Sequence, residues 1–144
     1  MSIDDAQFNY LMGLHKTFVE DNTIELGPAP IKWTRDIVST TTKDTFLLDY
    51  WRGEINISRY SINKRYRTTI SLVRICSHKR HTNPDGTSFA GPHFHVYKDG
   101  YSDKIAHPFS TLGLSDDCGI DDALVAMLEY CHVDNIPRIQ TSTI

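Results

Sequence analysis

Thr45-Phe46-Leu47-Leu48-Asp49-Tyr50-Trp51-Arg52-Gly53-Glu54-Ile55-Asn56-Ile57 sets the fold class. Phe46–Trp51 is rich in the aromatic and aliphatic side chains that suit a pleated, half-buried surface. Arg52-Gly53 supplies a turn, and Ile55 and Ile57 then alternate with polar residues as a return strand would. Downstream, residues 66–77 carry the β-branched content of a long strand, and a polar, turn-forming loop runs from Lys79 to Pro92. His93-Phe94-His95-Val96-Tyr97 reads as another strand. Asp99-Gly100 behind it is a strong two-residue hairpin signal, leading to a last strand near Ser102–Ala106.

Upstream, Gly27-Pro28-Ala29-Pro30 and Thr40-Thr41-Thr42 make residues 21–44 read as loop, with one short strand around Ile31–Ile37. Ser2 and Asp5 form a capping-box pattern, and Phe8, Leu11, His15 and Phe18 follow helical spacing, predicting a helix from about Asp4 to Glu20. Near the other end, Ile120, Leu124, Met127, Leu128 and Cys131 repeat at helical spacing. Asp121 and Asp122 fall in that first turn, where the helix dipole favours anions. The expectation is therefore α+β: an antiparallel meander of about five strands flanked by an N-terminal and a C-terminal helix.

Length and composition set bounds on this reading. A chain of 144 residues that is 40% hydrophobic and 23% charged fits a single domain, 1–144, and is too apolar for a disordered one. The acidic N-terminus lacks a signal-peptide pattern, and no apolar run approaches the roughly 20 residues needed to cross a bilayer. The three cysteines form no C-x-x-C pair, which suits reduced thiols and a cytoplasmic location with no membrane partner.

A net charge of -3 argues against coating nucleic acid through bulk charge, yet the charge is segregated. Residues 52–80 hold eight basic side chains against Glu54, a net of +7, while the 7 basic and 17 acidic residues elsewhere leave -10. Arg59, Lys64, Arg65, Arg67, Arg74, Lys79 and Arg80 thus form a candidate partner-binding face for a polyanion or an acidic protein surface. The plain alternative is that exposed strands carry Lys and Arg as protection against edge pairing.

Four of the seven histidines, His78, His81, His93 and His95, fall within eighteen positions. Residues two apart on a strand share a face, so His93 and His95 project together, with Tyr97 beyond them. Pairing of this strand with residues 66–78 would bring His78 and His81 near from across the loop, and Asp85 in the Asn83-Pro84-Asp85-Gly86 turn adds a carboxylate. His81, His93, His95 and Asp85 are therefore candidate ligands for Zn²⁺, which accepts imidazole nitrogen and carboxylate oxygen tetrahedrally. The same histidines also suit hydrogen-bonded structural roles or acid–base chemistry. In a metal-free ribonuclease, His93, His95 and Tyr97 would be catalytic and Arg65, Arg67 and Arg74 would hold phosphate. A cysteine nucleophile is disfavoured, because Cys76 and Cys131 lie in apolar patterns that suggest burial.

The run His81-Thr82-Asn83-Pro84-Asp85-Gly86, followed by Pro92-His93-Phe94-His95-Val96-Tyr97-Lys98-Asp99-Gly100-Tyr101-Ser102-Asp103-Lys104, resembles a family of small uncharacterised proteins of bacteria, plasmids and phages. That family is marked by H-x-N-P-D-G and then P-H-x-H-x-Y-x-x-G-Y-x-D-K. The likeness covers residues 45–110, including Phe46-Leu47-Leu48-Asp49 and Arg65-Tyr66-Arg67, while both ends are generic. His107 stands where the pattern has an aromatic residue and Cys76 where it has a polar one; neither falls in the motif. The resemblance implies a mobile-element or defence setting rather than a reaction. Small phage proteins of this kind include inhibitors of CRISPR nucleases, some with a structural metal.

Two function classes follow as expectations, beside the plain third reading of a structural α+β domain whose histidines only form hydrogen bonds. One is a non-enzymatic phage or mobile-element accessory protein that binds a protein or nucleoprotein such as a CRISPR effector nuclease. In it a histidine-held zinc pins the fourteen-residue loop 79–92, which is costly to order without secondary structure. The other is a small ribonuclease-like toxin. The absence of a complete catalytic template favours the first.

Overall fold

The computed structural model describes residues 2–53, 61–66, 69–77 and 80–141. It replaces the expected five-stranded meander with a mixed eight-stranded sheet and two α-helices. The N-terminal helix is the first difference. α1 spans Asp5–Gly13, capped by Asp4, whose carboxylate accepts from Gln7 N at 2.7 Å. It stops seven residues short of Glu20, because Leu14 turns extended and Lys16–Phe18 forms strand β1. Lys16 enforces the break. Fully buried, its ammonium donates to the carbonyls of Met12 (3.3 Å), Leu14 (2.7 Å) and Cys131 (2.8 Å), tying the ends of both helices together. Carbonyls at a helix C-terminus lack intrahelical partners, so a buried cation is well placed there.

After β2 (Ile24–Glu25), the segment read mostly as loop holds β3 (Ile31–Ser39), which pairs antiparallel along its length with β4 (Thr45–Arg52). The expected return strand at Ile55 and Ile57 lies outside the described residues. The partner of β4 is instead β5 (Ser61–Tyr66), which pairs antiparallel with β6 (Ile70–Cys76). Loop 79–92 contains a small hairpin, β7 (His81–Thr82) with β8 (Ser88–Phe89). Then come β9 (His93–Val96), β10 (Ala106–Pro108), a 3-10 turn at Phe109–Leu112, α2 (Ile120–Tyr130), β11 (Val133–Asp134) and β12 (Ile139–Gln140).

The main sheet runs β10-β9-β6-β5-β4-β3-β1-β11. It is antiparallel up to β1, which pairs parallel with β11, so the sheet is mixed. β12 pairs separately with β2. On one face Phe46, Leu48, Tyr50, Ile75 and Phe94 join Leu11 of α1 and Leu124, Met127 and Leu128 of α2 in the core. Each such aliphatic or aromatic side chain contributes roughly 1.5–3 kcal/mol by leaving water. The alternate residues, Asp49 and Trp51 on β4 and Arg74 and Cys76 on β6, face away from the helices. Among the described residues no helix is long and apolar enough to cross a membrane.

Candidate metal centre

The register of β6 against β9 builds the site. Cys76 stands opposite His93 and Arg74 opposite His95, all four on the face away from the helices. The β7–β8 hairpin folds over them. Asn83 fastens it to β10, accepting from Ala106 N at 2.7 Å and donating to Ala106 O at 2.9 Å. Phe89 stacks on the His93 ring at 6.3 Å. Under this cover His93 is 1% exposed, His95 2% and Cys76 5%, so the pocket is shut to bulk solvent. One ligand atom from each of Cys76, His93 and His95 lies within 4.8 Å of the others, a cluster that can hold a metal ion.

Hydrogen bonding leaves the histidine donors free. A carbonyl can only accept, so a ring nitrogen bonded to one must carry the hydrogen. His93 Nδ1 donates to Gly91 O and His95 Nδ1 to Asp103 O, both at 2.8 Å, and each ring keeps its Nε2 lone pair. Burial lowers the pKa of both. For His95 burial, helped by Arg74, His93 and His81, brings it to about 4; for His93 burial outweighs the opposing carbonyl of Gly91. Both rings are then neutral at pH 7, the state a metal requires. A ring N–H held by a main-chain carbonyl is also the usual outer support of a metal-bound imidazole. Arg74 completes the surroundings, donating from Nη1 to Cys76 Sγ at 2.9 Å and from Nε to Asp103 Oδ2 at 3.2 Å. A guanidinium there would offset the charge of a thiolate.

His81 is brought to this cluster, its ring centroid 4.6 Å from that of His95 and 5.6 Å from that of His93. Asp85 is not. It is exposed in the β7–β8 turn and accepts from Thr87 N at 2.9 Å, which holds its carboxyl below the usual range. Tyr97 also points elsewhere, because β9 ends at Val96. Its buried hydroxyl donates to Ile3 O (2.7 Å) and accepts from Ile3 N (3.0 Å), with Phe8 stacked beside it. Cys76 is the candidate ligand that sequence reasoning passed over. The signal was its spacing: two residues from Arg74 on one strand, it shares that residue's polar face rather than the apolar face of Val73 and Ile75.

The basic stripe is partly spent inside the molecule. Arg52 is buried and donates to Leu26 O at 3.2 Å, Arg65 makes a two-point pair with Asp49, and Arg74 serves Cys76 and Asp103. Arg80 is exposed, and Lys64 lies in β5 opposite Leu48 and Val73. Arg59, Arg67, His78 and Lys79 lie outside the described residues.

Residues 3–133 match a family described as "Family of unknown function (DUF6978)". No curated protein and no solved structure matches the chain.

Proposed function

The chain belongs to that family of unknown function, and we propose from the site itself that it is a non-enzymatic binding domain built around a structural zinc. One observation carries the reading: Cys76, His93 and His95 offer sulfur and neutral imidazole donors to one point from a closed pocket. Zinc suits mixed sulfur and nitrogen ligands, and its structural sites are closed whereas catalytic ones keep an open position. The metal fastens residues 80–92 against the sheet and so presents a fixed surface, with Arg80 exposed at its start, to a macromolecular partner. A CRISPR effector is one such partner and rests on the motif resemblance alone. A reducing cytoplasm would keep the Cys76 thiol available.

The ribonuclease reading draws less support. Tyr97 is occupied by Ile3, and Arg65 and Arg74 are occupied by Asp49 and by Asp103 with Cys76. The test pairs thermal unfolding with and without a strong chelator with incubation of the same preparation with RNA. The proposal expects a lower melting temperature on chelation and intact RNA. Unfolding that ignores the chelator contradicts it, as does RNA cleavage that disappears in His93→Ala.

A further inference from the structure

We infer that His81 is the fourth ligand, so that the site is one cysteine and three histidines and the metal is the joint between the β7–β8 hairpin and the sheet. This rests on the metal reading above and adds to it which residue closes the coordination sphere and which segment the metal holds.

The argument is geometric. With a zinc–nitrogen bond of about 2.0–2.1 Å, the centre of a coordinating imidazole lies roughly 3.2 Å from the metal, and the tetrahedral angle then places two such centres about 5.2 Å apart. The three ring pairs here are separated by 4.6 Å (His81–His95), 4.9 Å (His93–His95) and 5.6 Å (His81–His93), so all scatter about that value. The three rings thus lie at the spacing of ligands to one ion, and since the ligand atoms already within 4.8 Å of one another are those of Cys76, His93 and His95, His81 completes the set by turning its ring toward them.

Hydrogen bonding selects the coordinating atom. His81 Nε2 lies 2.7 Å from Lys104 O and 2.9 Å from Asn83 Oδ1, the latter already fixed as an acceptor by Ala106 N. Nε2 therefore carries the hydrogen, and Nδ1 keeps the lone pair. Among the described residues the other polar side chains beside the cluster are engaged, Asp103 by Arg74 and Asn83 by Ala106.

The placement has a mechanical consequence. Cys76, His93 and His95 belong to β6 and β9, neighbours in the eight-stranded sheet, whereas His81 belongs to a hairpin whose strands, among the described residues, pair only with each other. A metal bound by all four crosslinks a two-residue strand pair to the sheet.

X-ray absorption at the zinc edge of the zinc-loaded full chain reads the ligand set without any substitution. The inference expects one sulfur and three imidazole nitrogens; one sulfur, two imidazoles and an oxygen would overturn it while leaving the metal reading intact. Co²⁺ titrations of wild type and His81→Ala provide the second measurement. Wild type should show the thiolate charge-transfer band with tetrahedral d–d bands, and the variant should bind about 10-fold more weakly or worse. Equal affinity and an identical spectrum would overturn the inference. A wild-type chain that takes up neither Zn²⁺ nor Co²⁺ would refute the metal reading, and this inference with it.

Discussion

Asp103 and Arg74 join the two chemistries of the site. The Asp103 carboxylate accepts from Arg74 Nε at 3.2 Å, and its main-chain carbonyl accepts from His95 Nδ1 at 2.8 Å. One loop residue thereby orients an imidazole directly and, through Arg74, the donor that faces Cys76 Sγ. The centre is supported from the loop behind it as well as from the strands beneath.

Arg74→Leu should weaken zinc binding by about 10- to 100-fold, the usual effect of removing an outer support of a metal ligand. Asp103→Ala should cost less, because the carbonyl that holds His95 is main chain. Competition with a chromophoric chelator gives both affinities, and the opposite ranking would contradict the role assigned to Arg74.

Acid should weaken the metal-free fold in a defined window. The folded pKa of His95 is about 4 against an ordinary value of 6.5, and His93 is lowered in the same direction. Between those values the unfolded chain binds more protons than the folded one, so stability rises with pH there and is lost as pH falls. The loss begins near 6.5, levels off near 4, and for His95 amounts to something on the order of 1–3 kcal/mol. Urea unfolding of chelator-treated protein across this range measures it. The His95→Gln variant should give a flatter curve; an unchanged slope would show that His95 does not titrate this way.

Tyr97→Phe separates a structural from a catalytic tyrosine. It removes both hydrogen bonds to the backbone of buried Ile3 and should destabilise the chain by roughly 1–3 kcal/mol. Zinc affinity should hold within about two-fold, since Tyr97 is not among the residues that support the ligands. A stable Tyr97→Phe with altered metal binding would contradict its placement in the core.

Lys16→Met should cost about 2–4 kcal/mol, because it strips a buried cation from three carbonyls at the ends of α1 and α2. Denaturant unfolding checks this, and a neutral substitution would show that Lys16 does not fasten the helix ends.

What the sequence made legible follows the range of the interactions involved. His93 and His95 sharing a face needed only the two-residue period of a strand, and α2 needed only its apolar stripe with Asp121 and Asp122 at the start. β1 was missed because His15 and Phe18 extend the helical spacing of Phe8 and Leu11. What interrupts that spacing is distant: pairing with β3 and β11 and the bond from Lys16 to Cys131. The two-residue strand β11 has no local signal at all and exists through its parallel partner. Cys76 went unrecognised as a candidate ligand because its apolar neighbours suggested core, while its place in the cluster depends on the register that sets it opposite His93. Asp85 lay close in sequence, but its turn uses the carboxylate locally.

The central claim, a zinc held by Cys76 and the clustered histidines, is tested most directly by the metal content of the purified full chain by mass spectrometry. The wild type and a His93→Ala/His95→Ala variant should be prepared side by side. The account predicts about one zinc per wild-type chain and none in the variant, with a lower melting temperature accompanying the loss. A metal-free wild type that survives zinc addition still metal-free, or a variant that keeps its zinc, would contradict it.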